Sequence, residues 1–216
     1  TTVVSNKWML GTRNSFFIGI IATLLATALG TVAALGLSRP HMPFKAVLMA
    51  ILISPMIVPL IITAAGMFFF YSKIGLTHTY LGLILAHTAL GTPFVVITVT
   101  ATLTGFDTNL IRASQSLGAD TMRTFFKVIM PLILPGVISG GLFAFITSFD
   151  EVVIVMFVGS VEQITIPKQM WAGLRQETSP VILCMATCLV ALSIALLTTV
   201  EMLRRRSERL RGIKQR

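Results

Sequence analysis

Apolar residues in this chain run in long stretches and lack the short alternation of soluble elements. Five stretches, at about 15–37, 46–71, 80–104, 129–158 and 179–203, reach the roughly 20 residues that cross about 30 Å of hydrocarbon. They predict an all-α membrane protein, a polytopic helical bundle with five spans. The second stretch carries Pro55 and Pro59 and the third carries Gly91 and Pro93. Bends are expected there, since a neighbouring helix or a cavity can satisfy the freed backbone groups.

Composition agrees. Of 216 residues 55% are hydrophobic and 12% charged, with mean hydropathy +0.88, whereas soluble domains carry about a quarter charged residues. Twelve of the seventeen Lys and Arg fall in three segments: 38–45 (Arg39, Lys45), 105–128 (Arg112, Arg123, Lys127) and the tail 204–216, "RRRSERLRGIKQR". By the positive-inside rule these are cytoplasmic, as is the C-terminus, and Lys7, Arg13, Lys73, Lys168 and Arg175 lie outside. The net charge of +9 then reflects topology, and no nucleic-acid partner is expected. The first residue falls outside, so a sixth, upstream span is expected.

Catalytic chemistry is not expected. Neither a nucleophile elbow, nor a phosphate-binding Gly-Lys loop, nor a metal-ligand cluster occurs. Cys184 and Cys188 share one face of the last span, where a disulfide is geometrically poor and small buried hydrophobes are the simpler reading. His41 and His78 fall in connections. His87 lies inside the third span, near its outer half, and either serves function or satisfies a backbone carbonyl.

The connection 105–128 is too patterned for a bare turn. Leu110, Ile111, Ala113, Ser114 and Leu117 recur at helical spacing, Asp107 or Thr108 can cap the start, and Gly118 allows a break. The pattern predicts a short amphipathic helix over about 108–121. After it Phe125, Phe126, Val128 and Ile129 lie along the interface, until Pro131 and Pro135 redirect the chain.

"RASQSLGADTMRTFFKVIMPLILPG" resembles the signature of permease subunits of binding-protein-dependent (type I) ABC importers: Glu-Ala-Ala, three residues, Gly, nine residues, Ile, one residue, Leu-Pro. Arg112, Ala113, Ser114, Gly118, Val128, Met130 and Pro131 occupy those positions at unchanged spacing; Ala113, Gly118 and Pro131 match, and Arg112 reverses the charge of the family's Glu. "SFDEVV" and "TIPKQMWAGLRQETSP" resemble the spermidine/putrescine branch. The resemblance runs from about residue 14 to the tail, and six spans in family members agree with an upstream one.

The resemblance implies a single permease domain, 1–216, in a bacterial inner membrane. It would form half of a translocation pathway for polyamines or a related amine. It also implies a second permease subunit, two ATPase subunits that hold ATP and Mg²⁺, and a soluble substrate-binding protein, with no cofactor in this chain. Arg112, Ala113, Ser114, Leu117, Gly118, Ala119 and Pro131 would couple the loop to the ATPase. An ion-coupled carrier or channel would also use broken helices and intramembrane carboxylates, and a membrane-embedded enzyme is a third class. The spaced signature argues against the former and the missing catalytic constellation against the latter.

Asp150 and Glu151 interrupt the fourth stretch, where each charge costs about 2–3 kcal/mol. Along a continuous helix Asp150 stands about 22 Å beyond Pro135. Thr147, Ser148 and Glu151 would share one stripe, with Asp150 about 100° away. All four are pathway candidates, Glu151 foremost, while packing against a partner permease is nearly as good a role for either carboxylate.

Overall fold

The computed structural model describes residues 2–39, 41–105, 107, 109–176 and 180–210. The helices in order are α1 (Thr2–Leu37), α2 (Lys45–Ile57), α3 (Leu60–Ile74), α4 (Tyr80–Thr104), α5 (Asn109–Ser116), α6 (Thr121–Thr124), a π-helical turn (Phe125–Ile129), α7 (Met130–Phe149), α8 (Val153–Val158), α9 (Ile166–Gln176) and α10 (Pro180–Leu210). Among the described residues four segments are long and apolar enough to cross a membrane: Asn6–Leu37, Tyr80–Thr104, Thr121–Phe149 and Ile182–Thr199. The bent pair α2–α3 makes five if it is one span.

The expected span at 80–104 coincides with α4, whose start is capped by Thr79 accepting from Gly82 N–H at 3.0 Å. The stretch 46–71 is not one rod, because α2 and α3 meet at 104°. Val58 is extended (ψ 134°) ahead of Pro59, as a residue before proline is driven to be. Pro59 itself has no N–H to continue the helix.

The stretch 129–158 is likewise divided. Helix α7 ends at Phe149, and α8 begins only at Val153. The continuous helix assumed in projecting Thr147, Ser148 and Glu151 onto one stripe therefore does not exist.

Helices α1, α4 and α7 form the centre. One core cluster, including Ile18, Leu83, Ile84, Ile154 and Val155, ties α1, α3 and α4 to the buried α8. The other, including Ala26, Ala34, Val95, Val99 and Ile133, joins α1, α4 and α7. Close approach of α4 and α7 rests on Gly136 and Gly140, four residues apart, opposite Thr102 and Thr98. A Cβ on Gly140 would stand 2.8 Å from Val95 Cα. Small residues at this spacing are how apolar helices gain contact where lipid supplies no hydrophobic drive.

The connections 38–45 and 105–128 lie at one end of the bundle, the loop end, since Ser38 and Arg39 line a crevice with Ile111 and Gln115. Residues 159–165 and the start of α4 lie at the opposite end, where His78 N–H donates to Val158 O at 2.8 Å. Helix α10 starts against α9, with Ile182 against Gly173. It keeps Cys184 and Cys188 on its exposed surface, so they are not the buried hydrophobes expected. Residues 211–216 of the basic tail lie outside the described residues.

Candidate functional site

At the loop end the chain makes two short helices and a left-handed turn. Asp107 Oδ1 accepts from Asn109 N–H at 2.9 Å and so caps α5; Thr108, the other candidate cap, lies outside the described residues. The predicted helix 108–121 ends early, at Ser116. Gly118 has φ +79°, its N–H donates to Gln115 O at 2.9 Å, and Ala119 N–H donates to Ser114 O at 3.1 Å. This paired closure satisfies the last carbonyls of α5 and requires the left-handed region that glycine occupies at least cost.

The chain restarts at Asp120, whose Oδ1 accepts from Arg123 N–H at 2.7 Å. Ser114 and Thr124 join the two helices through their hydroxyls at 2.8 Å. Pro131 sits in the first turn of α7 directly after the π-helical turn, within a helical run that continues from Thr121 to Phe149.

Of the predicted coupling residues, Arg112, Ala113 and Pro131 are exposed and Ser114 and Ala119 half-buried. Leu117 projects with 88% of its surface open, and Leu110, Met122 and Phe126 are exposed beside it in sequence. An amphipathic helix and an apolar tip face away from the bundle, an arrangement suited to seating against a protein surface.

The predicted pathway residues gather at the other end of α7, about 30 Å away by helix rise over its 20 residues. They do not act as one stripe. Ser148 is buried and its Oγ lies 2.7 Å from His87 Nδ1, so His87 pairs with a side chain on α7 and not with the backbone carbonyl that was one of the two expectations. Glu151 is buried, and its Oε1 accepts from Ile154 N–H at 2.8 Å, which places the carboxylate at the N-terminus of α8, the favourable end for a negative charge. Thr147 is half-buried, and Asp150 is the exposed carboxylate. Phe149 beside it joins Phe16 (ring centroids 5.0 Å apart) and Phe145 (5.3 Å), a cluster that sequence spacing gave no means of assembling.

The segment that follows is stitched to the bundle. Lys168 Nζ donates to Val155 O at 3.1 Å and Ser160 O at 3.0 Å, holding the C-terminal side of α8. Burial lowers the Lys168 pKa from its ordinary value. Asn14 Nδ2 donates to Glu162 O and Ile164 O at 2.8 and 2.9 Å, Tyr80 OH donates to Asn14 Oδ1 at 3.1 Å, and Ser15 Oγ accepts from Ile166 N–H at 2.9 Å.

Comparison with known proteins points the same way. Residues 14–209 match the family described as "Binding-protein-dependent transport system inner membrane component". The chain is 30% identical over 194 residues to the spermidine/putrescine transport system permease protein PotC of Haemophilus influenzae, covering 90% of this chain and 76% of that protein. The Escherichia coli K12 protein of that description is 28% identical over 193 residues, covering 89% and 73%. In fold the chain is similar to an inward-facing MetNI methionine ABC transporter, with TM-score 0.71 at 19% identity and full coverage of both chains. It is similar also to an amino acid ABC transporter crystallised with histidines, with TM-score 0.69 at 16% identity and 94% coverage of each.

Proposed function

We infer the function from family membership: this chain belongs to the binding-protein-dependent transport system inner membrane components and is a multi-pass permease subunit of an ABC importer. We propose that it forms half of a polyamine pathway, pairing with a second permease, docking on two ATPase subunits that hold ATP and Mg²⁺, and receiving spermidine, putrescine or a related amine from a soluble binding protein. Its loop end and tail are cytoplasmic in this reading, which the twelve basic residues in those segments support.

Helix α5 and the Gly118 turn are the coupling element. ATP-driven movement of the ATPase would reach α7 through α6 and the π-helical turn, since these run without a loop from Thr121 into α7. At the far end an amine would meet Asp150. That exposed carboxylate stands where α7 presents its negative dipole end, which favours a cation. Glu151 is committed to α8, which favours Asp150 over Glu151 as the cation-contacting group.

The observation that carries the substrate class is the 30% identity to the spermidine/putrescine permease; the exposed Asp150 supplies a suitable charge. The test is ATP-dependent uptake of radiolabelled spermidine by proteoliposomes containing the full complex and its binding protein. Uptake that tracks ATP hydrolysis and is competed by putrescine is expected. Uptake driven by an ion gradient without ATP would establish the carrier alternative.

A further inference from the structure

At the loop end a crevice of about 380 Å³ opens between the ends of the long helices and the coupling element. Leu35, Leu103, Phe125 and Ile129 give it an apolar wall, and Ser38, Arg39, Gln115, Thr121 and Thr124 give it a polar rim. Thr31 lies one turn further in on the α1 face of Leu35; it is 5% exposed, and its hydroxyl meets no hydrogen-bond partner among the described residues.

The surrounding charge is one-sided. Segments 38–45 and 105–128 contain Arg39, Lys45, Arg112, Arg123 and Lys127 against Asp107 and Asp120, and both carboxylates already accept backbone N–H groups as caps. Arg39 follows Leu37, the last residue of a span, and so stands at headgroup depth, while the apolar wall continues inward.

We propose that this crevice binds the headgroup and upper acyl region of an anionic phospholipid, with Arg39 facing the phosphate and the exposed Thr121 hydroxyl beside it to donate a hydrogen bond. A ligand with a charged end and an apolar end fits a site with a cationic rim and an apolar wall. Because α5, α6 and the π-helical turn form one side of the crevice, bound lipid would brace the coupling element from its membrane side and leave Leu117 outward.

The test uses the assembled importer in nanodiscs of phosphatidylcholine doped with phosphatidylglycerol, with co-purifying lipid counted by native mass spectrometry. Parent and Lys73→Gln, a charge change in the last turn of α3 away from the loop end, are expected to retain phosphatidylglycerol in preference to phosphatidylcholine. Arg39→Gln should lower that preference about five-fold, and Ser38→Phe, which fills the crevice and keeps the charge, should lower it as well. Parental preference in Arg39→Gln overturns the proposal. So does displacement of the lipid by millimolar glycerol phosphate, which would make this a site for soluble phosphate, or efficient cross-linking of Leu103→Cys, on the α4 wall of the crevice, to the ATPase, which would make it a subunit contact.

Discussion

Replacing Glu151 by alanine separates a structural carboxylate from a transport carboxylate. The Glu151 side chain is 6% exposed and accepts the Ile154 N–H at 2.8 Å, so alanine leaves a buried donor without an acceptor, at a cost of about 1–3 kcal/mol. Glutamine keeps an oxygen in place to accept that N–H and should cost less than alanine. Asp150→Asn changes an exposed group and should stay within about 0.5 kcal/mol. Unfolding midpoints of the purified complex should therefore fall most for Glu151→Ala, less for Glu151→Gln and hardly at all for Asp150→Asn, at about 2–4 °C per kcal/mol for a chain of this size. Spermidine uptake in proteoliposomes at saturating binding protein should fall several-fold for Asp150→Asn at equal complex yield. A parental midpoint for Glu151→Ala would refute the capping argument, and parental uptake by Asp150→Asn would remove Asp150 from the pathway.

Gly118→Val forces a β-branched residue into a left-handed turn at about 1–3 kcal/mol; no clash adds to this, because a Cβ there meets nothing within 4 Å. Coupling should suffer more than assembly: substrate-stimulated ATP hydrolysis should drop while the complex still co-purifies, and an unchanged stimulated rate would show the turn to be dispensable. Gly140→Leu, by contrast, overfills the α4–α7 contact beside Val95 and Thr98 and should cost about 1–3 kcal/mol or more, read as a lowered midpoint and yield; parental yield would mean that the helices do not approach so closely.

Legibility from sequence followed the range of the forces involved. Helix α4 was readable because hydropathy is a local signal: the apolar run at about 80–104 coincides with Tyr80–Thr104. The proline breaks were readable as places, but the 104° turn between α2 and α3 is set by packing that no window of residues contains. The division after Phe149 was missed because nothing between Asp150 and Val152 forbids a helix; it is stabilised by Glu151 turning onto Ile154 N–H, one of several bonds available to a carboxylate. In the loop the signature positions mark the segment that folds as α5 and the Gly118 turn, yet helix propensity ran α5 past Ser116. The Gly118 break was foreseen as an option, and the Ser114–Thr124 hydroxyl pair that makes it useful was not. The Phe16–Phe145–Phe149 cluster and the Asn14 bonds to Glu162 and Ile164 join positions 129 to 150 residues apart, a range over which periodicity carries no information.

The stitching around Asn14, Ser15 and Tyr80 gives this subunit the mechanics of a beam clamped at one end. Backbone carbonyls of residues 162 and 164 are bolted to the α1 side chain of Asn14, while at the other end, among the described residues, α5 meets α6 through the Ser114–Thr124 hydroxyl pair and one turn. A push delivered at Leu117 therefore has its fulcrum far from where it is applied. In the proposed importer, small displacements there would move the loop ends of the long helices more than the far rim, where Asp150 stands. An amine arriving from the binding protein would meet a mouth of constant shape, and the work of each ATP cycle would be spent on widening the exit.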